Sequence, residues 1–249
     1  MTALAPVPHD LEIDERSLRA AALSEEFEGA HPSAILRAAI EREFAGEIAL
    51  VSSFGAESAA LLHLVSQVDR KLPVIFIDTG KHFAQTLDYR DELATRLKLE
   101  DVRIAKPDDT ELAIEDPGGD LWRTNPDACC MLRKVRPNEK ALSGFTAWIS
   151  GRKRHHGSVR AQLPVAEHDG LHFKINPLVA WTPKEINSYA RENGLPPHPL
   201  VAQGYPSIGC WPCTSPTEGT DARAGRWAGS GKTECGIHRP AAPQRRLTF

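Results

Sequence analysis

Five cysteines are the residues best equipped for chemistry in this chain of 249 amino acids, and their spacing divides them into four and one. Cys129 and Cys130 are adjacent, Cys210 and Cys213 form a C-x2-C pair, and Cys235 stands apart in Glu234-Cys235-Gly236-Ile237-His238. A C-x2-C turn aims two thiolates at one metal centre, and a second pair from elsewhere in the chain completes four-thiolate ligation of zinc or of an iron–sulfur cluster. Neighbouring residues on a helix point about 100° apart, so one compact ion would strain Cys129 and Cys130. A larger cluster with separate iron vertices accepts both, and the spacing favours [4Fe–4S] over zinc. Cys235 is then left over, close to Lys232 and His238, where nearby positive charge favours the thiolate and makes a nucleophile.

The net charge of −3 conceals an uneven distribution. Acidic residues crowd the first 30 positions (Asp10, Glu12, Asp14, Glu15, Glu25, Glu26, Glu28). Basic residues gather near the thiols: Arg133, Lys134 and Arg136 after the Cys-Cys pair, Arg152, Lys153, Arg154 and Arg160 after a predicted strand, and Arg223, Arg226, Lys232 and Arg239 around Cys235. Any one of these is readily explained as solvated surface charge. As three clusters flanking cysteine motifs they suit a small anionic substrate better than a long polyanion, which argues against a nucleic-acid partner. The chain start lacks a basic, apolar secretory signal, and no stretch approaches the roughly 18 apolar residues of a membrane span. A cytoplasmic protein is therefore expected, and in that reducing compartment cysteines serve metal or redox chemistry more often than disulfides.

The elements that must position these residues follow from periodicity. Residues 1–13 read as loose, Asp14–Glu28 as a charged helix with a weak apolar face, and the stretch after Pro32 to Phe44 as a second helix. Glu47–Phe54 reads as a buried strand that breaks at Gly55 into a helix over Glu57–Val68. Free N–H groups and the hydroxyls of Ser52, Ser53 and Ser58 then meet at a helix N-terminus with Gly55, an anion site. A second strand, Pro73–Ile77, ends in Asp78-Thr79-Gly80 and leads to a helix over Phe83–Leu97; a third strand covers Val102–Ala105. This alternation specifies an α/β protein with a mostly parallel sheet and helices on both faces, and with ligands collected at the carboxyl ends of its strands.

Further on, a helix is predicted from about Asp127, interrupted or kinked at Pro137. Strands follow at Ala147–Ser150 and His172–Leu178, and then a helix capped by Thr182 with Pro183 in its first turn. Past Cys213 the chain is rich in Gly, Ser and Thr and reads as a mobile tail. Gly229-Ser230-Gly231-Lys232-Thr233 ends like a Walker A loop, but Arg226 stands where the leading glycine is needed and no strand precedes it, so that reading is rejected. The organisation expected is an N-terminal helical segment (1–44), a nucleotide- and iron–sulfur-binding body (45–213) and a flexible catalytic tail (214–249).

Ser52-Ser53-Phe54-Gly55-Ala56-Glu57-Ser58 resembles the SGGxDS pyrophosphate loop of the PP-loop enzymes, with Phe54 at the first glycine and Glu57 at the aspartate. Together with the strand end Ile77-Asp78-Thr79-Gly80, Cys-Cys followed by Arg133-Lys134, GCWPC, RAGRW and TECGIH, it resembles the assimilatory adenylyl-sulfate reductase branch of the PAPS reductase family, over roughly residues 45–240. In GRKRHHGSVR the chain departs from the family, with His155 and His156 where an Asp-Gln pair often stands. These two histidines read as polar substrate-side or surface residues.

The resemblance implies a PP-loop fold, adenylyl sulfate (APS) as substrate, a [4Fe–4S] cluster on Cys129, Cys130, Cys210 and Cys213, and thioredoxin or a glutaredoxin-like protein as reductant. It implies that Cys235 attacks the sulfonate sulfur, and that Lys134, Arg152, Arg223, Arg226 and His238 surround the anion. Ser52, Ser53, Gly55 and Ser58 would cradle the anionic end, with Asp78 and Thr79 near the nucleoside. Reduction of the 3′-phosphorylated relative (PAPS) is the alternative, followed by a PP-loop tRNA-thiolation enzyme and a zinc-stabilised nucleotide-binding module. A homo-oligomer is compatible with all of these.

Overall fold

Asp14 opens the first helix, α1 (Glu15–Phe27), by accepting a hydrogen bond from the Arg16 N–H at 3.3 Å. The structure is a computed structural model that describes residues 14–157, 160–219 and 221–238. Residues 1–13, Arg239 and the end of the chain lie outside the described residues, as does the side chain of His156. One face of α1, Ala20, Leu23 and Phe27, is buried, and the two larger side chains each contribute about 1.5–3 kcal/mol by leaving water. The next helix, α2 (Pro32–Ala38), starts on its proline and runs into a π-helical turn, Ala39–Glu43.

The sheet has six strands: β1 (Ile48–Val51), β2 (Val74–Ile77), β3 (Val102–Ala105), β4 (Ala147–Ile149), β5 (Ala166–His168) and β6 (Phe173–Ile175). Their spatial order is β3-β2-β1-β4-β6-β5, and all neighbours are parallel except β5 and β6. The antiparallel β5 is an element the sequence reading missed. It pairs through a turn at Asp169-Gly170, where Asp169 Oδ1 accepts from the N–H groups of Leu171 and His172 and Gly170 has φ +97°. β1 stops at Val51 instead of continuing to Phe54, because the chain must turn to build the loop that follows.

Strand alternation assigns side chains to two unequal layers. Ile48, Leu50, Val74, Phe76, Ala147 and Ile149 enter the larger core with residues of α1, α2, α3 (Ser58–Val68) and α4 (Ala84–Leu97). Ala49, Ile75, Ile77 and Trp148 point to the other face. Between β3 and β4 lie α5 (Asp109–Glu115), α6 (Leu121–Thr124), α7 (Pro126–Cys130) and α8 (Arg136–Leu142); Leu142 of α8 joins the thinner layer. Between α7 and α8 is a π turn, Met131–Val135, closed by Arg136 N–H on Met131 O. Pro137 therefore sits in the first turn of α8 behind this wider turn, and the helical path continues through it. α9 (Pro183–Glu192) has the expected Thr182 cap, completed by Glu185 as a reciprocal capping box.

The thinner layer also explains the tail. Ile237 packs against Trp148 and its neighbours, and the His238 ring stacks on the Trp148 indole at 5.1 Å between centroids. Thr214 and Arg226 bridge the two sides of the tail's first turn. The segment read from sequence as mobile thus meets the sheet through Ile237 and His238, covering a face that would otherwise be open to water. Among the described residues no helix is long and apolar enough to cross a membrane.

Candidate active site

Strand order reverses beside β1: the chain leaves β1 toward β2 on one side and returns through β4 on the other. Ligand clefts of α/β sheets form at such a point, beyond the carboxyl ends of the strands. Here a cleft of about 230 Å³ is lined by Ser52, Ser53, Gly55 and Ser58 after β1 and by Ser150 and Arg152 after β4. Phe54 takes φ +46°, the left-handed conformation that glycine adopts without strain, and it stands where the PP-loop pattern has glycine. Its ring is fully buried, packed edge-on against Phe76 at 5.7 Å, and its N–H donates to Ser52 Oγ at 3.2 Å. Burial of the ring offsets the backbone strain, and the loop keeps its shape with a side chain in place.

Glu57, at the start of α3, accepts a hydrogen bond from Lys153 Nζ at 2.8 Å, and His155 Nε2 lies 3.7 Å from its other oxygen. The residues that depart from the family pattern in the loop and after β4 therefore meet one another. Lys153 is buried, which lowers its ammonium's hold on the proton against the pull of Glu57.

The opposite wall is built from thiols and cations. All five cysteines are free; Cys129, Cys130 and Cys210 are buried, and Cys213 and Cys235 are half-buried. Cys129, Cys130, Cys210 and Cys213 line a common small pocket with Lys134 and Trp227. Burial, and then the charge of the neighbouring cysteines, pushes the Cys129 thiol up to about 12. Such a crowd of desolvated thiols is stable as ligands and costly as bare thiolates. Among the described residues no three metal-binding side chains converge as they would on a single ion. The four thiols around one pocket are a donor set of the chemical type that zinc or an iron–sulfur cluster takes.

Lys134 lines both pockets. Burial alone would strip its proton, but the charges of Cys210 and Cys235 outweigh burial and raise its pKa, so the ammonium is retained. On Cys210 the same attraction, aided by the Thr79 hydroxyl at 3.3 Å, overcomes burial and lowers the thiol.

The tail completes the cleft with Arg223, Arg226, Trp227, Glu234, Cys235, Ile237 and His238. Arg226 lies over the Trp227 ring at 4.5 Å, and among the described residues its Nε has no hydrogen-bond partner. A Cβ on Gly209 would meet this guanidinium and require it to shift. Arg152 is buried, held against Glu167, and burial followed by the charge of Arg160 pulls it down to about 10. Burial, then the charges of Arg152, Arg160, Lys174 and Arg223, holds His238 well below the ordinary imidazole range, so its ring is neutral.

Of the residues singled out from sequence, Ser52, Ser53, Gly55, Ser58, Lys134, Arg152, Arg223, Arg226, Cys235 and His238 meet in this cleft. Asp78 and Thr79, expected near the nucleoside, are absent from this lining. Asp78 closes a turn by accepting from Gly80 N–H, and Thr79 is fully buried against Cys210, on the cysteine side, away from the cleft lining. Arg133 and Arg136 are also absent from the cleft lining, the first pinned to Asp116 and Thr79 O beside the cysteine pocket, the second paired with Glu111 and Glu115. Sequence reasoning gave no role to His82, Trp148, Trp227 or Glu234, and counted Arg160 only in a basic cluster, yet all five line the cleft. Proximity of Arg160 to Arg152 and of Glu234 to Cys235 was the available signal.

Residues 47–216 match the phosphoadenosine phosphosulfate reductase domain. The chain is 48% identical over 235 residues to an adenosine 5'-phosphosulfate reductase of Mesorhizobium japonicum, covering 94% of this chain and 92% of that one. A protein of the same description from Chelativorans sp. is 48% identical over 240 residues, 96% of each chain. Among solved structures, the phosphoadenylyl-sulfate (PAPS) reductase of Candida auris in its phosphate complex superposes with a TM-score of 0.69 at 29% identity, over 82% of this chain and 99% of that one. A Candida glabrata FMN adenylyltransferase, at 16% identity and a TM-score of 0.53, shares the fold. By this domain match and by the extent of its likeness to these relatives, the chain belongs to the phosphoadenosine phosphosulfate reductase family.

Proposed function

We propose that this protein reduces adenylyl sulfate to sulfite and AMP in assimilatory sulfate reduction, with Cys235 as the nucleophile. The observation that carries the reading is the position of Cys235 in one cleft with the Ser52–Ser58 loop and with Lys134, Arg152, Arg223 and Arg226. The sulfur of a sulfonate is shielded by anionic oxygens, so attack on it needs a thiolate and positive charge around those oxygens. In the first step the Cys235 thiolate forms a bond to this sulfur, the bond between sulfur and the bridging phosphate oxygen breaks, and AMP departs with the electron pair. Cys235 is left as S-sulfocysteine. A dithiol protein, thioredoxin or a glutaredoxin-like protein, then attacks the Cys235 sulfur and releases sulfite. Its second thiol frees Cys235, so the dithiol is oxidised to a disulfide as the sulfonate is reduced.

The relatives described as adenosine 5'-phosphosulfate reductases support the unphosphorylated nucleotide as substrate. The Ser52–Ser58 loop binds the nucleotide's anionic end, Arg223 and Arg226 clamp phosphate and sulfonate, and neutral His238 secures the tail on Trp148. Cys129, Cys130, Cys210 and Cys213 would hold a [4Fe–4S] cluster, whose chemistry there is electrostatic and structural. Lys134 carries positive charge from that side of the site to the sulfonate. The free thiols suit a reducing, cytoplasmic setting.

Intact-protein mass spectrometry after anaerobic mixing with adenylyl sulfate, without reductant, tests the reading. The wild type should gain one SO3 unit that thioredoxin removes, and Cys235→Ser should gain none. Absence of the adduct on nucleotide-binding wild-type protein would refute the mechanism, and 3′-phosphoadenylyl sulfate would be the next substrate to offer.

A further inference from the structure

Two charged residues just before the nucleophile have no assigned contact with the substrate in this chemistry. Lys232 ends the stretch that resembles a Walker A loop, and Glu234 puts a carboxylate into a cleft built to receive an anion. An acid there weakens anion binding unless it serves something else.

Glu234 is held in a fork. Arg160 Nε donates to Oε1 at 2.6 Å and Arg160 Nη2 to Oε2 at 2.7 Å. Arg223 Nη2 adds a contact to Oε2 at 3.4 Å and donates to Thr233 O at 2.8 Å. The side chains of Arg160 and Glu234 are 10% and 30% exposed, so the fork is shielded from much of the solvent screening that weakens surface pairs. Bidentate, charge-assisted bonds of this kind are also the strong ones. Lys232 pairs with Asp127, two residues before Cys129, and its Nζ lies 5.9 Å from the Trp227 ring centroid. The two contacts go to opposite walls: Lys232 to the helix that carries the cysteine pair, and Glu234 to the segment that follows β4. Cys235 comes directly after the second.

We propose that Lys232 and Glu234 form a two-point latch, in which Glu234, through its fork with Arg160, is the positioning residue that sets Cys235 in the cleft. The latch rests on the reading of Cys235 as the nucleophile. Both contacts are polar, so they can part in water and re-form without exposing a buried apolar anchor at the latch itself. That is what a tail needs if it must present Cys235 first to a nucleotide in the cleft and then to a reducing protein outside it.

The test is alkylation of the anaerobically purified full chain by iodoacetamide, with peptide mapping at Cys235. Glu234→Gln should raise the Cys235 rate about tenfold, the scale expected for loss of a charge-assisted pair. Arg160→Gln should do the same, and the double variant should react no faster than either single variant, because both remove one contact. Lys232→Met should give a smaller rise, about threefold. A wild-type rate in Glu234→Gln overturns the latch, and so do effects that multiply in the double variant. Should Glu234→Gln fail to fold, Arg160→Lys keeps the charge and loses the fork, and must also raise the rate. With adenylyl sulfate at saturation, Glu234→Gln should slow SO3 transfer to Cys235 while AMP binds at least as tightly as in wild type; equal losses in both would mean a merely structural role. A wild-type chain whose Cys235 is protected in this way but takes up no SO3 would remove the reductase reading and leave the latch standing.

Discussion

The two walls of the cleft are made by different means. The nucleotide-side wall is the end of regular structure: β1 and β4 deliver Ser52 and Ser150, and the N-terminus of α3 supplies backbone donors. The cysteine-side wall is assembled from α7, a π turn, the Gly209–Cys213 turn and the tail, which meet only in space. The first wall owes its shape to sheet hydrogen bonds and core packing. The second owes its shape to thiols, cations and the aromatic rings beneath them, and needs its parts to hold one another. A site divided in this way can keep a nucleotide fixed on one side while the nucleophile's side opens.

Removing the central charge of the cysteine wall should have the largest effect. Lys134→Met should slow SO3 transfer to Cys235 by about 100-fold or more, the usual loss when one charge-stabilising group leaves an anionic transition state. Stopped-quench mass spectrometry at saturating substrate measures it. An unchanged rate would mean that the arginines alone carry the charge.

The connector into that wall is sensitive to acid. His198 is buried, its Nδ1 accepts from Leu200 N–H at 3.1 Å, and its Nε2 lies 3.1 Å from Thr86 Oγ1. Burial depresses its pKa to about 4 from 6.5. Between these values the unfolded chain binds a proton that the folded chain refuses, so stability is lost as pH falls from 6.5 toward 4, by about 3 kcal/mol. Urea unfolding at pH 7 and pH 4.5 should show this loss, and His198→Gln should shrink it. An identical pH dependence in that variant would place the sensitivity elsewhere.

The nucleotide wall should depend on packing instead. Phe54→Gly relieves about 1–2 kcal/mol of left-handed strain but forfeits a buried ring worth about 3–5 kcal/mol. The net effect is a destabilisation of about 2 kcal/mol, read as a lower urea midpoint. A more stable variant would show that strain, and not packing, governs this loop.

Much of the nucleotide wall was legible in the chain, because strands, short loops and helices follow local periodicity. β3 was read to the residue, and Thr182-Pro183 marked the start of α9. The serines of the loop, which line the cleft, were recognisable for the same reason. The contact of Thr79 with Cys210 was not legible, because a residue in the loop after a strand can turn to either side. The tail's contacts were not legible because its few apolar residues have no helical or strand period; Ile237 is partly buried against the sheet's second face, which no local pattern records.

By itself the amino-acid sequence determined the α/β class, the five parallel strands in their order along the chain, with only β5 missed, and the grouping of cysteines into four and one. These depend on the period of apolar residues and on chemical type, both local properties. Only the tertiary structure decided that Glu57 meets Lys153 and His155, and that Glu234 is held by Arg160. Each of these is a choice among several charged partners in reach, and it is settled by burial and geometry between segments far apart in the chain.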